Sequence, residues 1–151
     1  MADTNQMNVI FEYDCVCFFG SSYKLTLFED GRLIRDERGF TSEIIKSPDL
    51  AKEIQQIIEE NKEKLNKLPR HVSNRSILDG ASETFQFGSL KFSGANILTV
   101  SMEGYKKKFK ENDYPVQGWE EDLLHFQRLF RKFRKKFREY VNEPLFNGER
   151  R

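Results

Sequence analysis

Long apolar runs are missing from this chain of 151 residues. None approaches the roughly 18 to 20 apolar residues that cross a bilayer as a helix, and no basic start leads into an apolar segment as in a secretion signal. A cytoplasmic protein with no membrane partner is expected. Cysteine is scarce, with Cys15 and Cys17 alone. Two apart in a strand pattern, they point to one face and cannot bridge each other without breaking the extended backbone, so reduced thiols are expected. Zinc-binding pairs normally have two or more residues between their cysteines and need two further ligands. Here one residue intervenes, and the two histidines, His71 and His125, lie in unrelated segments. The thioredoxin-like redox motif also has two intervening residues.

Phosphate-cradling glycine patterns are absent as well. Gly88, Gly94 and Gly104 have neither Walker nor dinucleotide spacing, and the Asp30-Gly31 and Asp79-Gly80 steps lack the alternating acids of a calcium loop. A Cys/His/Asp triad can be written on paper, but triads are defined by geometry, and no local nucleophile signature accompanies these residues. No cofactor, metal site or catalytic residue is therefore expected. Nor is charge of one sign in excess: 25 Lys and Arg face 24 Asp and Glu, a net charge of +1. A dedicated nucleic-acid or membrane-surface protein is usually more basic.

Phenylalanine, by contrast, is plentiful. Fourteen copies hold the hydrophobic fraction at 38% although 32% of residues are charged, which separates the chain from disordered sequences, where aromatics are few. Residues 1–6 are small and polar and read as a frayed tail, 7–146 as one domain, and 147–151 as a C-terminal tail.

Val9, Phe11, Tyr13, Cys15, Cys17 and Phe19 alternate with other residues, the period of a strand lying on a core. Tyr23, Leu25 and Leu27 form a second strand, Leu33 and Ile34 belong to a third, and residues 40–45 to a fourth. Ser47-Pro48-Asp49 caps a helix whose apolar stripe runs from Leu50 to Leu68 and which stops at Pro69. Thr84 to Phe87 and Leu90 to Ser93 make a hairpin around Gly88-Ser89, and Ile97 to Met102 reads as one more extended run.

Trp119, Leu123, Phe126, Phe130, Phe133, Phe137 and Tyr140 then repeat every four or three residues. That spacing predicts a long helix with one aromatic face, acids in its first turn and arginines in its last. The expected fold is α+β: an antiparallel sheet of about six to seven strands with two long helices on one face. The order is also that of two meander-plus-helix halves. Pairing of the last helix with another chain is the alternative, but rows of phenylalanine fit a broad sheet better than a narrow two-helix seam.

Leu78-Asp79-Gly80, Phe85-Gln86-Phe87-Gly88 and Phe92-Ser93-Gly94-Ala95-Asn96, followed by a helix, resemble small bacterial α+β domains of unknown function. Phe28-Glu29-Asp30-Gly31-Arg32 is similar in style, and the resemblance spans residues 9–141. It implies a bacterial source and the same fold, and it transfers no catalytic residue.

One feature points to binding. Lys106, Lys107, Lys108 and Lys110, interleaved with Tyr105 and Phe109 and followed by Tyr114, combine with Arg128, Arg131, Lys135 and Arg138 into a candidate positive surface. Solvation of a helix whose inner side is phenylalanine explains the same cations. The expectation is a non-catalytic binding or interaction domain, its partner a protein or a small molecule, as a monomer or a homodimer. A nucleic-acid or acidic-protein binder using the basic surface is the second reading.

Overall fold

The structure, a computed structural model, describes residues 7–18, 22–77, 80–104 and 117–149. The residues expected to form the N-terminal tail lie outside this set, as do Tyr105, Lys106, Lys107, Lys108, Phe109, Lys110 and Tyr114.

Strand β1, Val9–Cys17, lies at the centre of a six-stranded sheet. It pairs antiparallel with β2 (Tyr23–Phe28) on one side and with the later strand β5 (Ala81–Phe87) on the other. Beyond β2 lie β3 (Arg32–Glu37) and β4 (Phe40–Lys46), and beyond β5 lies β6 (Leu90–Ala95), giving the order β4-β3-β2-β1-β5-β6. Every strand pair is antiparallel. Phe11, Tyr13 and Cys15 are buried as the alternation requires, but a bulge between Val9 and Phe11 buries Ile10 and leaves Val9 half-exposed. An extra residue opposite one partner resets which side chains face inward.

A layer of helices covers the inner face. Helix α1 (Pro48–Glu60) starts where Ser47 Oγ accepts the Leu50 N–H at 3.2 Å, with Pro48 at the first helical position. The single helix expected through Leu68 is instead broken at Asn61, where φ is −113° and ψ is 14°, and resumes as α2 (Lys62–Lys67). The buried Asn61 side chain holds this joint by donating to the Ile57 carbonyl at 2.7 Å and accepting from Lys132 Nζ at 2.8 Å. Leu68 is extended because a residue preceding proline is pushed out of helical backbone.

Helix α3 (Gly118–Tyr140) carries the aromatic ridge. Leu123, Phe126, Phe130, Phe133 and Phe137 are buried, with Trp119 and Tyr140 at the margins. The rings pack on the chain's own strands: Phe130 lies 5.1 Å from Phe85, Phe133 4.7 Å from Phe87, and Phe137 5.2 Å from Phe11.

Ile97 to Met102 is a turn leading into a single helical turn, so the described sheet has six strands. Asn96, at φ 55°, swings the chain off β6, and Gln127 of α3 then ties down the Ile97 and Val100 carbonyls and the Met102 N–H, each at 2.8 Å. The two halves are thus unequal, four strands before α1 and two before α3, and no repeat is apparent among the described residues. Asn147 and Glu149, assigned above to a tail, are tied in. The Asn147 N–H donates to Tyr13 Oη at 3.3 Å, and Glu149 accepts the Leu145 N–H at 2.8 Å.

Residues 70–74 cover the outer edge of β6, with Val72 N–H donating to the Ser93 carbonyl and Ser93 N–H to the Arg70 carbonyl. A Cβ at Gly94 would collide with the Val72 carbonyl. Gly94→Ala is expected to push this segment off the edge and cost about 1–3 kcal/mol, about 2–4 °C of Tm for each. Calorimetry of both proteins checks it, and an unchanged Tm would show that the segment is not held there.

Candidate functional site

The face of the sheet that no described helix covers carries Glu12, Asp14, Lys24, Asp36, Glu43, Thr84, Gln86 and Lys91, in mixed sign. Glu12 pairs with Lys24 at 3.5 Å. Val16, 54% exposed, and the half-exposed Ile34 share this face, so apolar groups are interspersed among its charges.

Arg128, Arg131, Lys135 and Arg138, expected to act as one positive surface, are divided by their neighbours. Arg128 clasps Glu103 with Nε at 2.5 Å and Nη2 at 3.1 Å. Arg131 reaches the same carboxylate at 3.7 Å, and Arg138 lies 3.8 Å from Glu149. Lys135 is exposed, with no ion pair to a described residue. Acids brought in from other segments therefore neutralise much of the stripe.

A second arrangement of cations appears on the neighbouring flank of α3. The break at Asn61 and the stop at Pro69 set α2 beside α3, and a cleft of about 390 Å³ lies between them. Leu68, Pro69 and Leu129 give it an apolar lining; Lys64 and Lys67 of α2 and His125, Arg128 and Lys132 of α3 add basic groups, with Asp122 the one acid among the described lining residues. Asp122, His125, Leu129 and Lys132 share this flank because they are spaced three or four residues apart. Arg70 steadies the end of α2 by donating to the Leu65 and Leu68 carbonyls at 3.1 and 3.2 Å and stacking over Phe92. Its charge also suits the negative end of a helix. Of the cleft residues, Arg128 alone belongs to the positive surface expected from the sequence. Nothing in the spacing of Lys64 and Lys67 announces that a helix 60 residues later will face them.

Buried polar chemistry is concentrated at Glu83. Its parity with Phe85 and Phe87, legible in the sequence, places it on the inner face. One carboxylate oxygen accepts from Tyr13 Oη and the other from the Leu98 N–H at 3.1 Å. Burial raises the carboxyl above its ordinary range, against the opposing pull of Tyr13, the Leu98 and Ile97 N–H groups and Arg134. Burial likewise raises the Tyr13 hydroxyl, and Glu83 adds to the effect. Cys15 and Cys17 share the inner face with their sulfurs 3.6 Å apart. Burial pushes the Cys15 thiol up to about 12, which keeps it protonated and a poor nucleophile at neutral pH. His71 is exposed in its loop, its Nε2 3.1 Å from Ser73 Oγ.

No protein-family model, curated protein or solved structure matches this chain.

Proposed function

We propose that this protein is a non-catalytic interaction module whose α2–α3 cleft takes an acidic segment of a partner protein bearing one large apolar side chain. The carrying observation is the cleft itself: about 390 Å³ with an apolar lining of Leu68, Pro69 and Leu129 among Lys64, Lys67, Arg128 and Lys132. The volume falls within the range of about 300–1,000 Å³ typical of ligand sites. Apolar floors supply affinity, while rim charges select sign and speed encounter. A nucleic acid is less well served, because phosphates repeat along a strand and need a continuous positive track. Glu103 and Glu149 interrupt that track on α3. The free thiols of Cys15 and Cys17 suit a reducing, cytoplasmic setting.

The test compares a glutamate-tyrosine copolymer, polyglutamate, and single-stranded and duplex oligonucleotides, with amide shifts mapping the contact. The copolymer is expected to bind best, to weaken steeply with salt, and to shift residues 64–69 and 122–132. Replacing both Lys64 and Lys67 with glutamate is expected to weaken it about tenfold while leaving Tm in place, since each reversal turns a rim attraction into repulsion. Equal binding of polyglutamate and copolymer, or shifts centred elsewhere, would refute the reading. Tighter binding of an oligonucleotide would transfer it to nucleic acid.

A further inference from the structure

We propose that the small cleft between Arg131 and Arg134 of α3 and the turn containing Thr99 and Ser101 is a binding site for a phosphoryl-type oxyanion. It lies on the other flank of α3 from the Lys64–Lys132 cleft and does not depend on the function proposed there. Gln127, Arg131 and Arg134 follow one another at four and three residues and so share one side of the helix. Gln127 pins the opposing turn through its contacts to Ile97, Val100 and Met102, so the walls are fixed relative to each other.

The space measures about 150 Å³, and no carboxylate is among the described residues that line it. Small-molecule sites generally begin at about 300 Å³, so this one suits an ion or a single terminal group. Gly148 completes the wall at φ 84°, where its backbone closes on the Leu98 carbonyl and a side chain would collide.

The donor inventory points to an anion. Arg134 is half-buried, its guanidinium 5.6 Å above the Phe130 ring, and it makes no hydrogen bond to any described residue. Its nearest acid, Glu149, lies 3.4 Å from Nε without hydrogen-bond geometry, and the other oxygen of that acid accepts the Leu145 and Phe146 N–H groups. Among the described residues, Arg131 has only the 3.7 Å approach to Glu103, a carboxylate that Arg128 already holds in two bonds. Two guanidinium forks with donors to spare, facing a polar turn, match the geometry of a phosphate more closely than that of a neutral ligand. Ser101 Oγ accepts the Glu103 N–H at 3.4 Å, which leaves its own proton to give. The same chemistry serves free phosphate and a phosphoryl group whose remainder stays outside.

Titration with inorganic phosphate, phosphoserine and adenosine monophosphate, each against chloride at matched ionic strength, tests the proposal by Tm and by the arginine side-chain N–H signals. Phosphate is expected to raise Tm and to shift the Arg131 and Arg134 signals. Tighter binding of either organic phosphate identifies an attached phosphoryl group as the ligand, and weaker binding identifies the free ion. Arg134→Gln is expected to weaken binding about tenfold or more, the effect of losing a charged hydrogen-bond donor. Arg131→Gln, at an exposed position that tolerates change, is expected to weaken it in the same direction with the fold intact. Absence of any shift with all three probes, or wild-type affinity in both variants, overturns the site.

Discussion

Phe130→Ala is expected to lower stability by about 3–5 kcal/mol, the cost of emptying a large aromatic site in a packed core. The Phe130 ring is 2% exposed and sits where three parts of the chain converge. It lies 5.1 Å from Phe85 of β5, 6.4 Å from Phe11 of β1 and 4.9 Å from Phe146 of the C-terminal segment. No single neighbour can move in to fill the space without leaving another ring. Against a total stability of about 5–15 kcal/mol for an ordinary domain, the loss is large. Urea unfolding should show a lower midpoint, while Lys135→Ala, exposed on the same helix, should stay within about 0.5 kcal/mol of wild type. A Phe130→Ala loss below about 1 kcal/mol would mean that the ridge is not the core.

Glu83 should make stability depend on pH in the direction opposite to that of a salt-bridged acid. Its folded value is raised by burial, so the native state holds the proton to higher pH than the unfolded chain does. Stability contributed by this site is therefore full below the unfolded value, about 4.5, and falls as pH rises toward the folded one. Glu83→Gln keeps the shape and removes the titration. The cost of that change should be greatest in acid and shrink as pH rises. Glu83→Ala should cost more, about 2–4 kcal/mol, because it strands the Tyr13 hydroxyl and the Leu98 N–H in a dry interior. Unfolding curves of the three proteins from pH 4 upward decide it. A wild-type stability that rises relative to Glu83→Gln across that range would contradict the assignment.

The parts of the fold legible in the chain are those set by local periodicity. A repeat of three and four residues from Trp119 to Tyr140 admits one element, because no strand places those rings on one face. The alternation through Phe11, Tyr13 and Cys15 is equally restrictive, as is the Ser47-Pro48-Asp49 start of α1. The helix break was hidden because Asn61 is unremarkable until Lys132 arrives to bond its side chain. Ile97 to Met102 misled because a short apolar run has no period to read. Its turn is imposed by Gln127, 30 residues after Ile97. The candidate sites were less visible still. Arg128 and Arg131 carry the same charge in the sequence, yet Arg128 lines the cleft facing α2 and Arg131 the one facing the Thr99 turn.

Taken alone, the order of amino acids determined most of the elements, most of their inward faces and the α+β class, since apolar spacing and capping act over a turn or a few residues. Tertiary structure decided which charges are neutralised, which groups the inward-facing Glu83 meets and where the clefts open. Those outcomes depend on groups from distant segments meeting within a few ångströms, and no local pattern encodes such a meeting.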